Sequence, residues 1–160
     1  MLKVDILAVG KLKEDYLRKA CAEYEKRLSA FCKLSIIELP ESRMPQEPSQ
    51  AQITACIENE GQSILNKIPS QSYVIALCIE GKELSSPQLA KELLDASVRG
   101  YSHISFIIGG SWGLSPAVKQ RADLRLSMSP MTFPHQLARV MVLEQIYRGF
   151  SINANSRYHK

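Results

Sequence analysis

Two short runs of mostly apolar residues, at positions 73–79 and 104–108, constrain the fold of this chain more than any other feature, and only Ser105 interrupts them. A strand that is apolar on both faces must be covered on both faces, which is typical of the parallel sheet in an α/β protein. Each run is followed by glycine and then by a serine–proline pair that suits the start of a helix, Ser86-Pro87 and Ser115-Pro116. The two runs therefore predict strand–helix units whose strands lie buried within a sheet.

The rest of the chain continues this alternation. Residues 2–10 and 34–39 predict strands on either side of an amphipathic helix over 13–31. The remaining predicted elements are a helix capped by Ser49 and running to about residue 68, a helix from 86 to about 100, a short helix at 115, a strand over 124–127 and a last helix from 134 to about 150. The pattern predicts one α/β domain over residues 1–160, a mostly parallel sheet flanked by helices.

The bulk composition is typical of one folded domain in the cytoplasm. A chain of 160 residues, 45% of them hydrophobic, can bury a core of its own. No stretch of about 18 apolar residues predicts a membrane helix, and Asp5 within the first apolar run argues against a secretory signal. The four cysteines are not spaced as zinc-binding pairs, so we predict reduced core thiols and no metal site.

Positive charge is concentrated near the C-terminus. The net charge of the chain is +4, yet residues 118–160 alone hold seven Lys/Arg against two Asp/Glu, a net charge of +5. This distribution favours an anionic partner such as nucleic acid at that end, although basic tails also serve solubility alone.

The glycine-rich segment 109–113 follows one of the predicted buried strands, at the sheet edge where open α/β sheets bind ligands. Its glycines would let a ligand approach the backbone closely, or would simply form a tight turn between strand and helix. The segment lacks both the lysine–serine/threonine pair of a P-loop and the spacing of a dinucleotide fingerprint. A triphosphate enzyme and a nicotinamide-dependent oxidoreductase are therefore disfavoured.

A second loop, residues 127–134, combines two prolines with Met128, Met131 and Phe133. The prolines stiffen the backbone, and the apolar side chains are unusual for a loop. A stiff loop with apolar side chains and open backbone groups suits a flat heterocycle such as adenine. The alternative is that the three apolar side chains cover an edge of the core.

The last predicted helix is apolar on nearly every face, and a helix of that kind must be buried on every side. Its own sheet can cover one side only, so we predict an isologous homodimer through the other. Glu144 and Arg148 stand four residues apart and can pair with each other. Arg139 has no evident partner on the helix, and could bind an anion or a partner chain, or form a surface salt bridge.

The terminal residues 157–160 join two cations, an aromatic ring and an imidazole. Side chains of these types can contact phosphate, stack on a base and move a proton near neutral pH. A frayed tail without a function is the alternative.

Six short motifs stand in a fixed order along the chain, at residues 9–13, 24–28, 108–113, 131–136, 144–148 and 158–160. Taken together they resemble the RlmH family, the small SPOUT-class methyltransferases of bacterial large-subunit ribosomal RNA. The likeness spans essentially the whole chain, and the ordered set is far more specific than any one motif.

The resemblance implies the SPOUT, or α/β-knot, fold: a C-terminal trefoil knot with the knot and cofactor site over roughly 74–155 and an active-site tail at 156–160. It also implies a homodimer, S-adenosylmethionine as methyl donor, and transfer to N3 of a pseudouridine in 23S ribosomal RNA on the assembled ribosome. Since knots are nearly absent from proteins, periodicity alone could not have indicated one.

Site residues follow from the resemblance motif by motif. The implied cofactor contacts are Leu77, Gly109, Met128, Ser129, Pro130, Met131, Thr132 and Phe133. The tail would complete the active site across the dimer interface. His159 would handle the N3 proton, and Tyr158 would stack on the base or take part in the proton transfer. Arg157, Lys160 and Arg139 are the candidates for binding the RNA. Trp112 stands where some relatives carry a smaller polar residue, which would alter the edge of the pocket.

A hypothesis from another functional class is a non-catalytic dimer that binds RNA or the ribosome and retains a vestigial nucleotide pocket. It predicts no measurable affinity for S-adenosylmethionine or for its demethylated product.

Overall fold

The computed structural model describes residues 1–158. Strands and helices alternate along this part of the chain, as predicted. The strands are β1 (Lys3–Val9), β2 (Lys33–Leu39), β3 (Ser72–Glu83), β4 (His103–Ile108) and β5 (Leu124–Ser127), and the helices are α1 (Asp15–Leu28), α2 (Gln50–Lys67), α3 (Ser86–Val98), α4 (Pro116–Arg121) and α5 (His135–Asn153).

All five strands pair in parallel, in the order β2-β1-β4-β3-β5. Because parallel strands end at the same edge, the segments that follow β3, β4 and β5 lie side by side. This edge is where the two predicted loops, 109–113 and 127–134, begin. The α/β class with a parallel sheet is therefore confirmed.

Each face of the sheet is covered by helices. Alternate side chains of β1 separate into two cores: Ile6 belongs to the core beneath α1, α3 and α5, whereas Leu7 belongs to the core beneath α2 and α4. Helix α5 packs against both α1 and α3. Within residues 1–158, no helix is long and apolar enough to cross a membrane.

The structure corrects two details of the predicted elements. The N-cap of α3 is Ser85 rather than Ser86, because Ser85 and Gln88 bond reciprocally in a capping box and Pro87 then occupies the first turn. Strand β3 continues past residue 79 to Glu83, where Lys82 and Glu83 pair with β5 after a register shift. The capping box of Ser49 and Gln52 at the start of α2 is confirmed.

All four cysteines are free thiols, three of them buried and Cys78 half-buried. Burial raises the pKa of the Cys32 thiol to about 11, well above its ordinary value. The prediction of reduced core thiols is thus confirmed for Cys21, Cys32 and Cys56.

Candidate functional site

A cavity of about 760 Å³ opens at the carboxyl ends of β3, β4 and β5. Its volume falls within the range of small-molecule sites, and most of its lining is apolar. The walls come from the second half of β3, from the loops after β4 and β5, and from the start of α5. The lining residues are 77–80, 108–114, 126–129, 131–135 and 138, together with Lys119 of α4. The site therefore lies where ligands bind in open α/β sheets.

The structure brings nearly all of the predicted cofactor contacts together around this cavity. Leu77, Gly109, Met128, Ser129, Met131, Thr132 and Phe133 line it. Pro130 does not line the cavity and is exposed, so its contribution is to fix the backbone of the loop.

The loop 128–133 is held by its own serine side chains. The Ser127 hydroxyl donates to the Ser129 carbonyl at 3.2 Å, and the Met131 N–H donates to the Ser129 hydroxyl at 3.0 Å. Among residues 1–158, no backbone–backbone hydrogen bond outside the helices and strands involves this loop. Its other N–H and C=O groups can therefore meet a ligand, which fits the predicted grip on a flat heterocycle.

The glycine segment forms a tight turn that also lines the cavity. The Gly113 N–H donates to the Gly110 carbonyl at 3.1 Å, and Gly113 has a positive φ of 87°, which favours glycine. A Cβ on Gly110 would lie 3.2 Å from both Val9 Cγ1 and Glu60 Oε1. The segment is therefore a tight turn that also forms a wall of the cavity, and the close approach of a ligand to its backbone stays a prediction.

Three polar side chains of the cavity were not identified from the sequence. Lys119 donates to Glu80 in a salt bridge, and this hydrogen bond lowers the pKa of the Glu80 carboxyl. Among the lining residues that the structure describes, Glu80 is the one carboxylate and His135 the one imidazole. His135 lies within the motif 131–136, so the sequence did point to its segment. The pairing of Lys119 with Glu80 could not be predicted from the sequence, because the two residues meet only when α4 packs beside β3.

Tyr158 lies against the outer part of α5 and does not line the cavity. Its hydroxyl donates to Glu144 Oε1 at 2.5 Å, and its ring lies edge-on to Tyr147 with centroids 4.7 Å apart. Arg148 lies over the same ring and also pairs with Glu144 at 3.4 Å, which confirms the predicted pair. The hydrogen bond with Glu144 raises the pKa of the Tyr158 phenol.

Arg139 corrects the sequence analysis. It is 3% exposed and its guanidinium donates to Glu38 Oε2 at 2.7 Å and to the Gly10 carbonyl at 3.1 Å. Of the three alternatives, the salt bridge is the one found, but it is buried rather than on the surface, and its partners come from the end of β2 and the loop after β1. A buried, paired guanidinium is not available to RNA phosphates, so we do not retain it as an RNA contact.

Of the other tail residues singled out from the sequence, the structure describes Arg157 only. Arg157 is exposed, as an RNA contact requires. His159 and Lys160 lie outside the described residues. Within residues 1–158, no group of three or more His, Cys, Asp or Glu side chains could hold a metal ion.

Comparison with known proteins decides the family. A family model described as "Predicted SPOUT methyltransferase" matches residues 2–159. The chain belongs to the SPOUT methyltransferase family. The resemblance that the six motifs indicated is thereby confirmed, as is the expected fold class; the knot itself remains a prediction for this SPOUT chain.

The SPOUT assignment is supported by whole-length relatives. Ribosomal RNA large subunit methyltransferase H of Streptococcus thermophilus strain CNRZ 1066 is 54% identical over 159 residues, covering 99% of this chain and 100% of the relative. Proteins of the same name from Ligilactobacillus salivarius strain UCC118 and Clostridioides difficile strain 630 are each 52% identical over the same coverage. The SPOUT chain thus matches these relatives from end to end.

Proposed function

We propose that this SPOUT protein methylates large-subunit ribosomal RNA, with S-adenosylmethionine as donor and N3 of a pseudouridine in 23S RNA as acceptor, on the assembled ribosome. The relatives named as large-subunit ribosomal RNA methyltransferases support the substrate class. The observation that carries the proposal is the cavity at the ends of β3–β5, with seven of the eight expected cofactor contacts in its walls. A ribosomal substrate would place the enzyme in the cytoplasm.

The cavity fits a donor of this kind. Its apolar lining and the free backbone groups of loop 128–133 suit a purine. When bound, S-adenosylmethionine supplies a methyl group that is already activated, so the reaction needs no metal. The protein must then hold the acceptor nitrogen in line with that methyl group and help to remove its proton.

The tail supplies the candidates for the acceptor side. Tyr158, with its pKa raised by Glu144, keeps its proton at neutral pH and therefore suits stacking or hydrogen-bond donation rather than proton removal. His159 is the candidate for accepting the N3 proton, because a histidine exchanges protons near neutral pH. Arg157 and Lys160 are candidates for holding RNA phosphates.

We propose that the tail completes the cavity of a second copy in a homodimer. Tyr158 contacts Glu144, which follows the cavity residue His135 by nine positions on α5, or about 14 Å along the helix axis. Tyr158 therefore lies away from the cavity of its own chain. A partner packed on the outer side of α5 would bring its cavity to this tail.

The decisive experiment is mass spectrometry of ribosomal RNA from cells that lack the protein. We expect one N3-methylated pseudouridine to disappear from 23S RNA and to return with the wild-type gene. A gene lacking codons 158–160 should fail to restore it, although the truncated protein still binds S-adenosylhomocysteine in calorimetry. If every pseudouridine methylation persists, the proposed reaction is wrong; if the wild-type protein does not bind S-adenosylhomocysteine, the vestigial-pocket alternative holds.

A further inference from the structure

The mouth of the cavity is surrounded by exposed apolar side chains. Ile79 is 64% exposed, Trp112 42% and Met131 74%, and the three come from the three separate segments that form the cavity walls. Large apolar side chains exposed in one cluster mark a binding surface, whereas single ones do not. This apolar rim, defined as Ile79, Trp112 and Met131, is therefore a candidate binding surface.

Trp112 is presented by a turn that has little freedom to move. It stands between Gly110 and Gly113, whose backbone hydrogen bond of 3.1 Å closes the turn. Val9 and Glu60 pack close beneath Gly110, so close that an added Cβ would meet both at 3.2 Å. A rigid aromatic side chain loses little conformational entropy when it binds, which makes it an effective anchor.

The proposed reaction requires an aromatic surface at this place. N3 of a pseudouridine lies on the base-pairing edge, so an enzyme can reach it only on a base that is unpaired and turned out of its stack. Such a base needs a new flat surface to replace its lost stacking partners. Among residues 1–158 the exposed aromatic side chains are Tyr16 and Trp112, and of these only Trp112 lines the cavity.

The described lining of the cavity carries little positive charge within one chain. In the part of the chain that the structure describes, Lys119 is the one Lys or Arg that lines the cavity, and its ammonium group is already paired with Glu80. Within one chain, phosphate contacts at the mouth would therefore contribute little. Apolar contact would position the base there, and the phosphates would be held by Arg157 and Lys160 of the tail.

We propose that Trp112 is the platform on which an unstacked base of the substrate RNA lies, with Ile79 and Met131 at its sides. This inference rests on the proposed function. Trp112 is not among the expected cofactor contacts, which are Leu77, Gly109 and loop 128–133, so we assign it to the RNA. It determines how the acceptor is held and performs no proton transfer.

Methylation of ribosomes from cells that lack the protein tests the platform. We expect Trp112→Ala to lower kcat/KM for ribosomes by about 5- to 150-fold, the loss expected for one base stacked on an aromatic side chain. Trp112→Phe should retain most of the wild-type kcat/KM, because phenylalanine keeps an aromatic face. The dissociation constant of S-adenosylhomocysteine should change less than about threefold, and Tyr16→Ala, which removes an exposed aromatic ring outside the cavity, should behave as wild type.

The outcomes separate this proposal from the proposed function. If wild-type protein does not methylate these ribosomes, the proposed function fails. If wild type is active and Trp112→Ala equals it, the platform is wrong. A tenfold weaker affinity of Trp112→Ala for S-adenosylhomocysteine would instead assign Trp112 to the cofactor, and loss of the wild-type oligomer on sedimentation would assign it to an interface.

A spectroscopic measurement gives a second test, because Trp112 is the only tryptophan of the chain. Its fluorescence should be quenched when a short oligouridylate is added to protein already saturated with S-adenosylhomocysteine. No change on adding the oligonucleotide at concentrations that bind the protein would overturn the proposal.

Discussion

Arg139 connects parts of the fold that are far apart in sequence. Its guanidinium reaches Glu38 at the end of β2 and the Gly10 carbonyl after β1, while its own helix begins at the cavity. A cation with only 3% exposure is stabilised by such partners, since an unpaired buried charge would be costly. The residue therefore fixes α5 to the carboxyl edge of the sheet.

We expect Arg139→Met to lower the free energy of unfolding by about 2–4 kcal/mol, because Glu38 and the Gly10 carbonyl lose their donor. Urea denaturation followed by circular dichroism would measure the change. Lys91→Ala, which breaks an exposed helix pair with Asp95, is the matched control and should change stability by less than about 0.5 kcal/mol. Equal effects of the two substitutions would show that the buried pair has no special role.

The Cys32 thiol predicts a fall in stability at alkaline pH. Burial raises its pKa in the folded protein to about 11, whereas in the unfolded chain the thiol ionises near its ordinary value, about 9. The unfolded chain therefore binds fewer protons between these values, and the free energy of unfolding falls as pH rises from about 9 to about 11, by on the order of 2 kcal/mol.

Chemical denaturation at several pH values checks this. Cys32→Ala should show a shallower fall over the same pH range, even if it is less stable throughout. Val142→Ala, a buried substitution without a titrating group, should keep the wild-type slope. If Cys32→Ala and wild type have the same slope, the Cys32 thiol is not responsible.

At the scale of elements, the junction of β3 and β5 determines whether the cavity forms. Strand β3 crosses a register shift between Leu77 and Lys82 before it pairs again with β5, and β5 leads directly into loop 128–133. Gly81 lies within this shift, where a Cβ would be 2.7 Å from the Arg125 carbonyl oxygen and 2.8 Å from Leu126 carbon. Backbone atoms cannot move aside as a flexible side chain would.

Gly81→Ala should therefore destabilise the protein by about 2–4 kcal/mol and weaken S-adenosylhomocysteine binding at least tenfold, since the loop after β5 is displaced. Calorimetry and urea denaturation measure the two effects. Gly100→Ala is the control, because that glycine has open space around it and a φ of 94°, so only backbone strain of about 1 kcal/mol is added and binding should persist. Unchanged affinity in Gly81→Ala would contradict the role given to this junction.

The elements also show how far sequence reasoning reaches. The buried runs at 73–79 and 104–108 fix two strands because only a parallel sheet covers both of their faces. The extension of β3 to Glu83 could not be predicted, because residues 80–83 are polar and pair only once β5 is in place. Prediction of the site from the sequence is limited in the same way. The composition of loop 128–133 indicates a binding loop, whereas the partners of Arg139 and Lys119 depend on how distant segments pack.

At the scale of the whole molecule, the arrangement of α5 favours a dimer. One side of the helix is buried by the sheet, α1 and α3, whereas Leu137, Met141, Glu144 and Arg148 follow one another on the other side at spacings of three and four. Leu137 remains exposed and lies beside the cavity residue Ala138. This row is the surface that a second copy would cover, and its far end holds Tyr158.

We expect sedimentation to give twice the chain mass of 17.9 kDa, and Leu137→Glu to give the mass of one chain, because a carboxylate would be buried in the interface. The Leu137→Glu variant should also methylate ribosomes more slowly than wild type, because the tail of one chain would no longer reach the cavity of the other. Val98→Glu places the same charge on an exposed apolar residue of α3 and should remain dimeric. Dissociation by Val98→Glu alone would place the interface elsewhere.

The strand order has a consequence for how this chain is made. Strand β1 pairs on one side with β4, so that Lys3 lies opposite His103 and Ala8 opposite Ile108. When residues 3–9 leave the ribosomal exit tunnel, one of their two neighbours has still to be synthesised, and about a hundred more peptide bonds must form before it emerges. Contacts of such long sequence separation close slowly, so the nascent chain keeps an apolar strand edge unpaired for most of its synthesis.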